Sequence, residues 1–222
     1  MTRMTTTSDT LARAALVFID ENGVDALTIR ALGQQVGMHH TAVYRHYRSK
    51  NELLRAVLAI VIGDAFSQTG PLPEEPEKRL LAIVMGLRKA LHAHPAVTAA
   101  YLLPVETLAD SEVVAGIQMM AVQALRELGL EGHELVVRYQ MLESYAFGAS
   151  VFDFGGAPDH ITSRSRRHKM MVDFEFSSLG TSEERVDAVT ESAFELGLIT
   201  LVQECAAAGR LAQPATTRAA KT

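Results

Sequence analysis

Residues 27–50 read Leu-Thr-Ile-Arg-Ala-Leu-Gly-Gln-Gln-Val-Gly-Met-His-His-Thr-Ala-Val-Tyr-Arg-His-Tyr-Arg-Ser-Lys, and the spacing within them decides the N-terminal fold. Ile29, Leu32 and Val36 recur at helical intervals, which predicts a short helix over 28–36 with one apolar face. The Thr28 hydroxyl suits its N-cap, where a side-chain oxygen accepts an orphan N–H of the first turn. Gly37 ends it, because a left-handed C′ residue costs glycine almost nothing. Met38 and Val43 carry the apolar pattern into a second short helix over 41–47, and Gly33 lets the two helices approach closely. Two short helices joined by a glycine-containing turn make a helix-turn-helix, whose second helix enters the major groove.

What that second helix exposes fits a nucleic-acid surface. With Val43 inward, His39, His40, Thr41, Ala42, Tyr44, Arg45, His46 and Tyr47 surround it, followed by Arg48 and Lys50. Arg and Lys neutralise phosphate, while hydroxyls and imidazoles donate or accept at phosphates and base edges. An ordinary amphipathic helix with a solvated basic face is the plainer alternative. The joint spacing of glycines, apolar positions and basic residues favours DNA. The candidate contacts are Thr28, His39, His40, Thr41, Ala42, Tyr44, Arg45, His46, Tyr47 and Lys50.

The run from Leu27 through Leu53 resembles the N-terminal DNA-binding domain of the TetR family of transcriptional regulators. Its marks are the Leu27-Thr28 opening, the Gly37 turn and Tyr44-Arg45-His46-Tyr47-Arg48-Ser49-Lys50, a Tyr-x-x-aromatic-x-x-Lys motif. The resemblance covers about sixty residues; Met38, His39 and Tyr47 stand where the family often has Val, Ser and Phe. It implies a homodimeric regulator of promoter DNA, more often repressor than activator, whose C-terminal body takes a small-molecule effector.

Composition agrees. The 222 residues are 48% hydrophobic, rich in aliphatic residues and alanine, without tryptophan or an alternating strand pattern, so the expected class is all-α. The net charge of −5 weighs against DNA binding only until it is divided. Residues 1–66 hold seven Lys/Arg against six Asp/Glu, and 28–50 hold no carboxylate at all. Local sign matters more for phosphate contact than total charge. The lone Cys205 excludes an intrachain disulfide and reads as a small core hydrophobe. The N-terminus lacks a signal-peptide pattern and no apolar run reaches the ~18 residues of a membrane span, so a cytoplasmic protein is expected.

Two domains are expected: residues 1–66 as the DNA-binding head with its connecting helix, and 67–222 as a ligand-binding and dimerisation body. A first helix over 8–22 turns Leu11, Ala15, Phe18 and Ile19 inward. A fourth begins at Ser49, which with Glu52 suits a capping box, and carries Leu53, Leu54, Val57, Leu58, Val61 and Ile62 to about residue 66. Three prolines between 71 and 76 punctuate the chain. Helices follow over 77–94, 111–128, 132–154 and 182–208, with a broken region at 95–104 and a loop rich in Gly, Ser and Arg at 155–169.

The segments 132–154 and 182–208 are apolar on more than one face, which demands either a large core or a second chain. Ala193-Phe194-Glu195-Leu196-Gly197-Leu198 resembles the last long helix of TetR-family bodies, and that resemblance implies a homodimer through these last two long helices; two heads on two half-sites also supply the specificity one short helix lacks. Met85, Tyr101, Met119, Met141, Tyr145 and Phe147, with Arg138 as a polar anchor, are candidates for an effector pocket. Core packing is the plainer account of the same residues, and a regulator without any small-molecule ligand stays open. An all-α enzyme is the competing class. However, the chain has no Gly-rich phosphate loop, His133-Glu134 lacks the second histidine of a zinc hydrolase, and Ser150 lacks the second glycine of a nucleophile elbow. The sequence calls for no cofactor. His92, His94 and His133 are a weak ligand set without nearby acidic or thiol partners, and no metal is expected.

Overall fold

A computed structural model describes residues 8–67, 70–101, 112–154 and 183–212, and every described element is helical. In chain order these are α1 (Ser8–Asn22), α2 (Ile29–Gln35), α3 (His40–Tyr44), α4 (Lys50–Ser67), α5 (Pro76–Ala93), α6 (Pro95–Tyr101), α7 (Glu112–Glu127), α8 (Gly132–Phe154) and α9 (Glu183–Ala212). The all-α expectation holds. The chain divides into two compact units, one of residues 1–70 with 89–117 and the other of 71–88 with 118–222. The boundaries fall between residues 70 and 71, inside α5 and inside α7.

In the first unit α1, α2 and α4 close a core in which Leu11, Ala15, Ile19, Leu27, Leu32, Val43, Leu53 and Val57 are wholly buried. Phe18, expected inward, is half-buried. The Arg13 guanidinium donates to both Asp64 carboxylate oxygens (2.7 and 3.0 Å) and to Asp9 (3.2 Å), tying α1 to α4. These groups are half-exposed, so the link orients more than it stabilises.

Residues 95–101 correct the expectation of a broken segment, since Pro95 opens α6. Proline at the first helical position lacks only an N–H that would be orphaned there anyway. The Thr98 hydroxyl donates to the Leu91 carbonyl (2.7 Å), and the His94 imidazole contacts Asp20 of α1 (2.9 Å). Residues 102–111, the loop at 155–169 and its basic run lie outside the described residues.

In the second unit α8 and α9 pack together around an aromatic stack. The Tyr145 and Phe194 rings lie 5.0 Å apart, and the Tyr145 hydroxyl donates to the Phe194 carbonyl (3.0 Å). A Cβ on Gly197 would fall on that hydroxyl, so glycine permits the approach. Arg88 of α5 is buried, with its guanidinium 4.1 Å over the Phe194 ring and its nitrogens 2.8–3.1 Å from the Glu191 carboxylate. A buried guanidinium needs a paired carboxylate, and Glu191 supplies it. Cys205 is buried, which pushes its thiol up to about 11. With so little thiolate at pH 8, it should react with a disulfide reagent at least tenfold slower in the native protein than after unfolding, a ratio that stopped-flow thiol titration measures.

Candidate nucleic-acid interface

The site begins at the corner between α2 and α3. The Thr28 hydroxyl accepts from the Ala31 N–H (3.0 Å), so the predicted cap is present. Gly37 has φ +67°, and the Met38 N–H donates to the Gly33 carbonyl (2.8 Å), closing the turn. A Cβ on Gly33 would stand 2.8 Å from the Met38 carbonyl oxygen and 3.4 Å from the His40 Cα. Only a residue without a side chain admits that approach. The second helix starts one residue earlier and ends three residues earlier than expected, at His40–Tyr44, because His39 caps it. The His39 Nδ1 accepts from the Thr41 N–H (3.4 Å) and lies 2.8 Å from the Thr41 hydroxyl.

The candidate contacts divide into two groups. Thr28, His39, Thr41, Tyr44 and Arg45 are exposed, Tyr44 by 48%. His40, Ala42 and His46 are half-buried, and the His46 Nδ1 lies 3.0 Å from the Ser8 hydroxyl. His39 and His40 stack with ring centroids 4.2 Å apart, and Tyr44 stands edge-on to His40 at 6.4 Å.

Two candidates have other duties. Tyr47 is corrected from the exposed set: it is only 5% exposed, and its hydroxyl donates to the Ser8 carbonyl (2.7 Å). Burial, helped by the charges of Asp9 and Glu52, pushes its phenol up to about 12, so it stays a neutral donor inside the head. The Lys50 ammonium is half-buried and donates to the Val24 carbonyl (2.7 Å), stapling the turn before α2. Ser49 caps α4 by accepting from the Glu52 N–H (3.1 Å), while the Glu52 carboxylate accepts from the Arg48 N–H (2.6 Å). That is a capping box displaced by one residue.

Arg48, read from the sequence as part of the basic surface, is exposed, and so is Arg30, which the candidate contacts leave out. The available signal was that neither has an acidic neighbour within 28–50.

Of the proposed effector residues, Met119 is 62% exposed and lines an open groove of about 580 Å³ with Leu72, Pro73, Glu74, Arg79, Met120 and Gln123. The others do not line it. Arg138 pairs with Glu134 (2.9 Å), Tyr145 is committed to Phe194, and Met85, Met141 and Phe147 are half-buried. Tyr101 closes α6, and its side chain lies outside the described residues. Among the described residues no group of three or more His, Cys, Asp or Glu could hold a metal ion, and no helix is long and apolar enough to cross a membrane. The Tyr139 hydroxyl donates to Glu143 (2.9 Å), and burial followed by that carboxylate's charge raises its phenol well above the usual range.

A helical corner with a capped, basic, acid-free outer face, in a chain whose described elements are all helical, defines a helix-turn-helix DNA-binding protein. Residues 11–57 match the family model of the bacterial regulatory proteins of the tetR family. The class A tetracycline repressor of Escherichia coli is 32% identical over 87 residues, covering 39% of this chain and 40% of that one. An uncharacterized HTH-type transcriptional regulator of Mycobacterium tuberculosis is 27% identical over 158 residues, covering 69% and 72%. The chain thus spans two fifths of the tetracycline repressor it matches. In fold, a possible TetR family regulator from Streptomyces coelicolor superposes with TM-score 0.70 at 20% identity, over 90% of this chain and 99% of that one. The TetR family protein ActR of the same organism, in complex with (S)-DNPA, gives 0.66 at 20% identity over 91% and 98%. Residues 11–57 are therefore a DNA-binding domain of the tetR family of bacterial regulatory proteins, and the chain as a whole has the fold of solved TetR-family regulators.

Two substitutions separate the corner's inner and outer sides. Gly33→Ala should lower stability by about 1–3 kcal/mol, read as a fall in urea midpoint, because the Met38 carbonyl must move. Arg45→Ala should leave the midpoint unchanged within ~0.5 kcal/mol while weakening duplex binding and reducing the salt slope by about one.

Proposed function

We propose that this protein is a homodimeric repressor that leaves its operator when a small lipophilic effector occupies the body. The observation that carries the dimer is apolar surface on α8 and α9. Val136, Val137 and Leu196 are 55%, 44% and 67% exposed, on two helices whose opposite sides hold the buried Leu135, Leu142, Phe194 and Leu198. Ala193 and Thr200, one turn either side of Leu196, are exposed as well, leaving a small-residue margin on which a second copy can pack closely. An α3 of five residues touches few base pairs, so a pair of heads on two half-sites supports recognition at promoter strength.

Effector response draws on the second unit, with Met85, Met119 and Met141 as adaptable apolar groups and Arg138 and Glu143 as polar ones. The ActR complex with (S)-DNPA and the complex of the Acinetobacter baumannii TetR with minocycline support a body of this fold holding a small organic guest. Release requires that the guest bind the DNA-incompetent arrangement more tightly than the competent one. No catalytic function is proposed, and action in the cytoplasm follows from a DNA target.

The test begins with a duplex selected by the protein from a random pool. Sedimentation should give a dimer at micromolar concentration, and Leu196→Glu should shift it to monomer and weaken duplex binding at least tenfold. A stable wild-type monomer that binds the selected duplex undiminished would overturn the dimeric reading. Minocycline and (S)-DNPA are the first effector probes, read by thermal shift and by duplex release.

A further inference from the structure

The reading helix carries two stacked imidazoles whose hydrogen-bonding circumstances differ. The His39 Nδ1 lone pair is engaged as the cap of α3, taking the Thr41 N–H. The His40 ring stands 4.2 Å from that of His39 and 6.4 Å from that of Tyr44, and neither of its nitrogens has a hydrogen-bond partner among the described residues. His46 is again different, with its Nδ1 on the Ser8 hydroxyl. Imidazole is the side chain whose charge changes most readily between pH 5 and 8. His40 is the ring with both nitrogens free to donate.

Among the described residues no carboxylate pairs with the His40 ring. On α3 and its flanks stand Tyr44, Arg45, His46 and Arg48; α2 adds Arg30; the start of α1 adds Asp9, and the start of α4 adds Lys50 and Glu52. The two carboxylates are engaged elsewhere, Asp9 with the Arg13 guanidinium and Glu52 with the Arg48 N–H. The Lys50 ammonium is on the Val24 carbonyl. A duplex brings an anion to such a ring at every nucleotide.

We propose that His40 meets a DNA phosphate as an imidazolium, so that each head takes up one proton when it binds a duplex. The inference rests on α3 being the helix that faces DNA. Its sign is fixed by linkage: the complex holds more protons than the free head, so affinity is greatest at low pH and falls as pH rises. The fall is confined to the window in which His40 is neutral when free and charged when bound.

The probe is a fluorescent random-sequence duplex of 30 base pairs at low, constant ionic strength. Affinity should fall about fivefold or more between pH 6 and pH 8. Calorimetry in two buffers of different ionisation enthalpy should report close to one proton per head. His40→Gln, with His40→Ala as a second variant, should flatten the pH dependence to within twofold while leaving the thermal midpoint unchanged. His39→Gln and His46→Gln should keep it. A wild-type affinity that is flat from pH 6 to 8, or a slope that persists in both His40 variants, overturns the proposal and leaves DNA binding standing. A slope lost on an A·T-only duplex overturns the phosphate assignment in favour of a guanine edge. Absence of binding to any duplex at either pH brings down the assignment of α3 to DNA itself, and the proposal with it.

Discussion

The approach of the Met38 carbonyl oxygen to Gly33, 2.8 Å from where a Cβ would stand, sets the geometry on which the DNA-reading face depends. Because the backbone of the turn lies against α2 with nothing between, α3 can be only five residues long and still present a defined surface. Its inner side is then fixed by Val43 and Tyr47, and its outer side by alternation, with Tyr44 and Arg45 pointing the other way. Tyr47 adds a long-range constraint, since its bond to the Ser8 carbonyl joins the end of the reading segment to the beginning of α1. A neutral phenol suits that place better than a charged side chain would, because the donor is needed where water is excluded.

The chain carries a net negative charge, yet within its head residues 28–50 hold no carboxylate and four of the six in 1–66 are engaged by other groups. Asp9 and Asp64 accept from Arg13, Asp20 contacts His94, and Glu52 accepts from the Arg48 amide. These bonds commit the four carboxylates to partners on α1, the α5–α6 turn and the turn after α3. The same bonds set α1 against α4 and against the α5–α6 turn. One set of ion pairs therefore both orients the helices of the first unit and shapes its field. Screening by salt weakens exposed pairs of this kind, so the shaping is strongest at the ionic strengths where phosphate attraction is itself strongest.

Much of this architecture can be read from local sequence. The ends of α1 and α8, the Thr28 cap and the Gly37 turn follow from short-range rules about capping, periodicity and left-handed backbone. What escapes such reading is anything whose partner lies far along the chain. Tyr47 looked exposed because its motif is flanked by basic residues, and its partner Ser8 is 39 positions away. Lys50 looked like a phosphate ligand for the same reason, while its ammonium serves the Val24 carbonyl 26 positions back. His39 as a cap was missed because imidazole is outside the usual capping set of Ser, Thr, Asp and Asn. Pro95 misled in the other direction: proline breaks a helix from within but opens one comfortably, and sequence alone does not say which position it occupies.

The second unit poses the complementary problem, for the periodicity of α8 and α9 shows two apolar faces without saying which is inward. Aromatic stacking decides it. Once Phe194 is held between the Arg88 guanidinium and the Tyr145 ring, with Gly197 making room for the phenol, α9 has no rotational freedom left. Leu196 is then forced outward, and Val136 and Val137 on α8 remain in water. Burying a large aliphatic side chain is worth about 1.5–3 kcal/mol, and these are already part-covered, so three such residues contributed by each of two copies amount to something on the order of 5–10 kcal/mol. Association costs an estimated 4–15 kcal/mol before any contact is counted. These three pairs alone therefore bring a dimer only near balance, and the small residues beside Leu196 matter because they let backbones approach and add contact along the whole helix. The same near balance would leave a pairing of this kind sensitive to small shifts of α8 and α9, the property a regulator needs if an effector bound inside the body is to be felt at the heads.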